Sequence, residues 1–410
     1  MSLEPRPTQT RIKHEILQEY LKSWGYIITG GLRSIYSRVT PSSRKLTTRF
    51  VYVDCFAYKG AYAPENGIEV FGSPIIGIDS LDRLAHHFVE QNGVFPDTYA
   101  ILVEEDKENY RFLLNLLNNK YPSRVRETTD LSSLQSGEIA IINDDYTHWI
   151  DQISDFTGQQ YTWTFYLLDP YGPKGLQLDV VGRIISQEHA DVIINLMYQD
   201  LHKKTGSAAK AQPYQGHTPH LEYWDRLYGS QGWRQISDRY YTGQIDKEQM
   251  EADLVDLYRK VLMEYDASVA VKRIPLKFED RDRTMFYLFL TTHDGTGALK
   301  MNEILDGAKI KEYDYRQEAR TLRTLQPTLF DLDPHEDPLR PQPGDHDIDE
   351  VARLIHATFA GKTVTFREVL AALADRPFYE DQVKKAMTRL KKSNTCHYDK
   401  LSHREQIRFT

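Results

Sequence analysis

The side chains best suited to chemistry in this sequence are a set of carboxylates. Asp54, Glu104, the pair Asp144 and Asp145, and Asp169 stand at the ends of four short apolar runs, Phe50–Val53, Ala100–Val103, Ile139–Ile142 and Phe165–Leu168. An ionised carboxylate offers two acceptor oxygens, which match an amine or two vicinal hydroxyls. Acids gathered at one edge suit a cation and repel a pyrophosphate. Accordingly, no GxGxxG and no GxxxxGK[ST] phosphate loop is present. A structural reading stands beside the chemical one, because Asp also caps the helix that follows it. Recurrence at four equivalent places favours a shared site. Other candidates are weaker. His293 is a general base or a hydrogen-bonded loop histidine, and Cys55 reads as a small buried residue. With Cys55 and Cys396 the only cysteines, neither a disulfide framework nor a four-cysteine zinc site is available, and no His/Cys spacing predicts a metal.

The elements that would position these acids follow from periodicity. Nearly all-apolar runs separated by helical stretches read as strands buried on both faces of a mostly parallel sheet. Further runs at Val192–Ile194 and Met285–Leu290 extend it, and helices are predicted over Gln9–Trp24, Ser73–Val89 and Asn109–Lys120. In open α/β sheets, ligands bind outside the carboxyl ends of the strands, where the acids lie. The 410 residues, 40% hydrophobic, hold more than one domain. No apolar run is long enough to span a bilayer or serve as a signal peptide, so a cytoplasmic protein is expected.

The net charge of −8 is unevenly spread, for Lys and Arg outnumber Asp and Glu by 8 to 2 from Lys384 onward. An α/β domain over 1–325 is expected, with an insertion at about 201–245 that suits either a lid or a packed subdomain. A Pro-rich linker (326–346) follows, then a small domain over 347–410. That domain reads as helices at Ile348–Phe359, after Thr365 and at Phe378–Lys392, then a hairpin over Thr395–Phe409, which is a winged-helix arrangement. Thr365 and Glu368 form a capping box. Lys384, Lys385, Arg389, Lys391 and Lys392 would meet nucleic-acid phosphates, although such modules also dock proteins.

The order of acids fits S-adenosylmethionine. Asp54 would hold its amine, Phe56 and Gly60 would shape the adjoining loop, Glu104 would grip the ribose diol, and Asp144 or Asp145 would accept from the adenine. Asp169-Pro170-Tyr171-Gly172 resembles the (Asp/Asn)-Pro-Pro-(Tyr/Phe) motif of amino-methyltransferases, with Tyr171 at the second proline and Gly172 at the aromatic position. Asp169, Pro170 and Tyr171 are therefore the candidate catalytic residues.

Several segments together resemble the three-Cys-motif partner proteins (TcmP). They are Tyr20-Leu21 with Trp24, Tyr52-Val53-Asp54-Cys55-Phe56-Ala57, Gly72-Ser73-Pro74-Ile75-Ile76, Leu168-Asp169-Pro170-Tyr171-Gly172, Ile194-Asn195 and Tyr287-Leu288-Phe289. The resemblance implies a Rossmann-like class I methyltransferase sheet with a C-terminal winged helix. It also implies a separately encoded radical-SAM-like partner carrying three cysteines, and action on nucleic acid in repair or modification. Tyr58 departs from the Asp-x-Phe-x-Gly-x-Gly loop of many methyltransferases. That departure and the degenerate Asp-Pro-Tyr-Gly leave open a non-catalytic adaptor that presents nucleic acid to the partner, and the many acids leave open a nuclease, although no spacing marks a metal pair.

Overall fold

The computed structural model describes residues 3–36, 47–172, 174–198, 219–266, 268–278, 283–324 and 337–410. The chain divides into two compact units, Met1–Thr291 and Thr292–Thr410.

The first unit opens with α1 (Thr8–Tyr36), whose stripe of Ile12, Ile16, Leu17, Tyr20, Leu21 and Trp24 is buried. The helix continues past Trp24, the end read from the sequence. Next come β1 (Arg49–Asp54), a hairpin of β2 (Ala61–Glu65) and β3 (Ile68–Phe71), α2 (Ser73–Asn92), β4 (Asp97–Val103) and α3 (Lys107–Lys120). The chain goes on through β5 (Val125–Glu127), β6 (Ile139–Ile142), α4 (Ile150–Thr157), β7 (Thr162–Leu168), α5 (Leu178–Ile185) and β8 (Ala190–Leu196). After α6 (Pro219–Tyr228), α7 (Gly232–Tyr241) and α8 (Lys247–Tyr265), it ends in β9 (Ala270–Lys277) and β10 (Thr284–Thr292).

Eight strands form one sheet in the order β5-β6-β4-β1-β7-β8-β10-β9. Neighbours from β5 through β8 are parallel, and β10 runs antiparallel to β8. This is the mainly parallel α/β sheet expected from the apolar runs. Every residue from Phe50 to Asp54 is fully buried, because helices cover both faces of such a sheet. Chain order runs from β1 to β4 and β6 on one side, then returns to β7 and β8 on the other. The switch therefore falls between β1 and β7, and the crevice there opens at the strands' carboxyl ends.

Of the expected insertion, residues 201–218 lie outside the described residues. The remainder includes α6 and α7, whose Trp224 and Trp233 are buried in the main core. The indole of Trp233 donates to Asp225 at 2.9 Å, and these helices pack into the core of the first unit.

One close approach ties the core to the switch point. A methyl group at Gly77 of α2 would run into the ring of the fully buried Tyr52. Gly77→Ala is expected to destabilise the chain by roughly 2 kcal/mol, the scale of core overpacking, despite alanine's higher helix propensity. Urea unfolding with an unchanged slope checks this, and a neutral or positive change would refute it.

The second unit contains α9 (Gly295–Thr324), α10 (Ile348–Phe359), β11 (Thr363–Thr365), α11 (Phe366–Ala372), α12 (Glu380–Lys392), β12 (Cys396–His397) and β13 (Gln406–Phe409). Its antiparallel sheet has the order β11-β13-β12. The Thr365–Glu368 capping box forms as expected. The structure draws the boundary ahead of α9, whereas the sequence reading left this helix with the sheet. The reason is packing. Leu299 belongs to the core made by α10, α11 and α12, and Asn302 donates to the carbonyls of Arg376 and Phe378 at 2.8 and 2.7 Å. Gly295 leaves no room for a Cβ, which would lie 2.6 Å from the Leu370 carbonyl carbon. Residues 326–336 of the Pro-rich segment lie outside the described residues.

Candidate functional site

The strand register places Asp54 beside Leu102 of β4 and Leu167 of β7. The loop after β1 is then pinned on both sides: Cys55 N donates to Leu167 O at 3.1 Å and Ala57 N to Val103 O at 2.9 Å. Asp54 has no exposed surface. Its Oδ1 accepts from Phe56 N at 3.2 Å, and the Tyr52 hydroxyl donates to Oδ2 at the same distance. Burial pushes its carboxyl up to about 7, against the hydrogen bond from Ser73, and the negative Asp169 adds to the elevation. The neighbouring Cys55 thiol is pushed far up by burial and the Asp54 charge, consistent with a packing role.

Asp169 is held from two directions. Lys13 Nζ of α1 lies 2.8 Å from Oδ1 and 2.6 Å from Oδ2, and Asn195 of β8 donates to Oδ1 at 2.6 Å. The ammonium also stands 5.0 Å from the Phe286 ring centroid. Next to it, His14 is buried and packs against Tyr62 at 5.6 Å between centroids. Burial first, then the charges of Lys13 and Arg6, lower the His14 pKa to about 3, so its ring is neutral. Its Nδ1 is buried and has no hydrogen-bond partner among the described residues. His14 lines a cleft of about 420 Å³ together with Arg6, Glu65, Ile75, Asp79 and Arg83.

Glu104 crosses between two loops. Its Oε2 accepts from Tyr58 N at 2.7 Å and its Oε1 from Asp106 N at 2.9 Å. Burial raises its pKa, and the amides of Asp106 and Tyr58 oppose the rise. Tyr58 adopts a φ of +50°, uncommon for a residue with a side chain. The Glu104 bond to its amide helps fix that conformation. Gly60, at φ +70°, abuts Leu113 and Leu116 of α3, where a Cβ would lie 2.6 Å from Leu113 Cδ1. Its carbonyl accepts from Gly72 N at 2.8 Å, closing the hairpin that precedes α2.

Asp144 accepts from His148 Nδ1 at 3.0 Å and Trp149 Nε1 at 3.1 Å, and the His148 bond leads in lowering its pKa. Asp145 caps the short helix Tyr146–His148 through Thr147 N at 3.0 Å. Burial pushes Asp145 up, but Thr147 and Lys174 outweigh it and its pKa ends below the ordinary value. Lys174 bridges Asp145 at 3.1 Å and Glu105 at 2.6 Å. Phe56 meets Tyr146 edge-on at 5.2 Å. Pro170 is buried, while Tyr171, in the loop after β7, is 94% exposed. Pro173 lies outside the described residues.

The structure thus brings Asp54, Asp169 and Glu104 to adjoining strand ends and ties Asp144 and Asp145 to their own helix. Lys13, His14, Asn195, Tyr52 and Tyr62 complete the neighbourhood, and the sequence reading gave none of them a role. For Lys13 the only signal was its position in the polar gap of the α1 stripe.

In the second unit, α12 exposes the five expected cations. Lys384 pairs with Glu380 at 2.6 Å, Lys385 with Asp381 at 2.6 Å, and Arg389 with Asp349 at 2.6 Å. Lys391 donates to the Asp399 carbonyl at 3.3 Å and lies 4.4 Å from the Tyr398 ring centroid. Among the described residues, no group of three or more His, Cys, Asp or Glu is placed to hold a metal, and no helix is long and apolar enough to cross a membrane.

No protein-family model matches the chain, the expected TcmP family included, and no curated protein matches it. Solved structures with partial likeness include protein LPL1258 from Legionella pneumophila str. Philadelphia 1, with 8% identity and a TM-score of 0.35 over 75% of this chain and 93% of that one. Trm1 from Pyrococcus horikoshii in complex with S-adenosyl-L-methionine has 11% identity and a TM-score of 0.36 over 97% and 90%. Loganic acid methyltransferase with SAH has 7% identity and a TM-score of 0.25 over 80% and 94%.

Proposed function

We propose that the chain is an S-adenosylmethionine-binding, methyltransferase-like protein that acts on nucleic acid together with a three-Cys-motif, radical-SAM-like partner. The observation that carries this reading is the topological switch between β1 and β7. It gathers Asp54, Glu104 and Asp169 where an open α/β sheet binds its ligand. The antiparallel β10 beside β8 separates this sheet from the arrangement that binds dinucleotides.

The residues fit the nucleoside end of that cofactor. Glu104 is part-exposed and oriented by two amides, and a carboxylate so held keeps lone pairs for a diol. At the amino-acid end, Asp54 is sealed and acts by shaping the loop. When bound, the cofactor would supply an electrophilic methyl group. This chain would orient the acceptor, with Tyr171 exposed for stacking and Asp169 held by Lys13 and Asn195.

Isothermal calorimetry on the full chain tests the reading with S-adenosylmethionine and with its demethylated product. Binding is expected, and Glu104→Ala is expected to weaken it by roughly 1–3 kcal/mol, the scale of lost charged hydrogen bonds. Unchanged affinity in the variant would return Glu104 to a purely structural role.

The sealed Asp54 and the ion-paired Asp169 favour a second reading, the non-catalytic adaptor that presents nucleic acid to the partner. Absence of binding heat for both ligands, with and without the partner, would select it.

A further inference from the structure

We infer that the phosphate-gripping surface of the second unit is the β12–β13 hairpin with the C-terminal end of α12, and that the middle of α12 is charge-compensated. This rests on the nucleic-acid half of the proposed function and names the surface that would serve it. Between Glu380 and Arg389, each cation of α12 has its own carboxylate at 2.6 Å, from Glu380, Asp381 or Asp349. Two of these pairs are at i,i+4 with the acid N-terminal, the favourable order on a helix. A phosphate approaching there meets three carboxylates for three cations.

The hairpin differs. Residues 391–408 hold Lys391, Lys392, Lys400, Arg404 and Arg408 against Asp399 and Glu405. All five cations are exposed. Among the described residues, Lys392, Lys400, Arg404 and Arg408 have no carboxylate within ion-pair distance. All of them belong to the segment that runs from the end of α12 through β12 and β13. Arg408 pairs across the sheet with His397 of β12 and Thr363 of β11, both exposed. Lys391 fastens the end of α12 to the loop through the Asp399 carbonyl at 3.3 Å. Glu405 accepts from Asp399 N at 3.3 Å, which orders the loop and leaves five cations against two carboxylates. The result is an uncompensated cationic rim suited to a phosphodiester backbone, which binds through charge with release of counterions.

The test is the salt dependence of binding by the full chain to a random-sequence DNA duplex and to an RNA hairpin. Lys392, Lys400, Arg404 and Arg408 are replaced together by Gln, and Lys384, Lys385 and Arg389 together by Gln in a second variant. At about 0.7–0.9 of slope per phosphate contact, the first variant is expected to lower the log–log slope by about 3 and the second by less than about 1. Should the fourfold variant melt early, K400Q/R404Q leaves the strand intact and is expected to give about half the drop. Equal losses in both variants, or a larger loss from α12, would overturn the assignment while leaving nucleic-acid binding in place. Wild-type protein with no salt-dependent binding to either probe would overturn the assignment and that half of the proposed function, whatever the cofactor calorimetry gives. The probe that loses more affinity identifies which polymer the rim serves.

Discussion

Asp54→Asn is expected to stabilise the protein by roughly 4 kcal/mol at pH 8 and to leave its stability nearly unchanged at pH 4. The Asp54 carboxyl rises from its ordinary 3.8 to about 7 in the folded chain. Between those values the folded state keeps a proton that the unfolded state has released. Stability therefore falls as pH rises through this window, and the loss is complete above about 7. At about 1.4 kcal/mol per pH unit, that window amounts to roughly 4 kcal/mol. Asparagine has nearly the same shape and does not titrate. Its carbonyl can still accept from Phe56 N, and its amide can face the Tyr52 hydroxyl. Chemical denaturation of both proteins from pH 4 to pH 8 checks the divergence. A difference that does not change with pH would mean that Asp54 titrates normally. The cost comes chiefly from burial, since the carboxyl has no exposed surface.

The second large effect concerns Lys13. Lys13→Met leaves Asp169 with Asn195 as its side-chain partner among the described residues, in a setting where the two charged side chains are only 15% and 26% exposed. Removing one partner of a buried pair costs about 3–5 kcal/mol. Partial exposure of Asp169 reduces this to about 2–3 kcal/mol. The double variant Lys13→Met with Asp169→Asn removes the stranded charge and is expected to recover most of the loss. The comparison is a double-mutant cycle read by urea unfolding. Additive losses would show that the pair is not coupled, and Lys13 would then matter through its ammonium beside the Phe286 ring.

These effects separate what the sequence displays from what it conceals. The strands that carry Asp54, Glu104 and Asp169 were legible because a strand buried on both faces must be apolar throughout, and the acids mark where each run stops. The helix-capping alternative was legible too, and it describes Asp145. The charge state of the site was not. Lys13 reaches Asp169 across 156 residues of sequence, and periodicity says only that it lies off the apolar stripe of α1. The compensation along α12 was half visible: Glu380–Lys384 and Asp381–Lys385 follow from helical spacing, whereas Arg389 finds Asp349 on another helix. The β2–β3 hairpin escaped because Ala61–Glu65 contains Pro64 and lacks alternation. The Gly60–Gly72 bond that closes it becomes evident only in three dimensions.

The membership of α9 in the second unit bears on how the molecule can be severed. A fragment begun at 347, after the proline-rich segment, would discard Leu299 from its interior and strand the carbonyls of Arg376 and Phe378 that Asn302 satisfies. The natural place to divide the polypeptide is ahead of Gly295, where a long helix leaves with the basic module it supports.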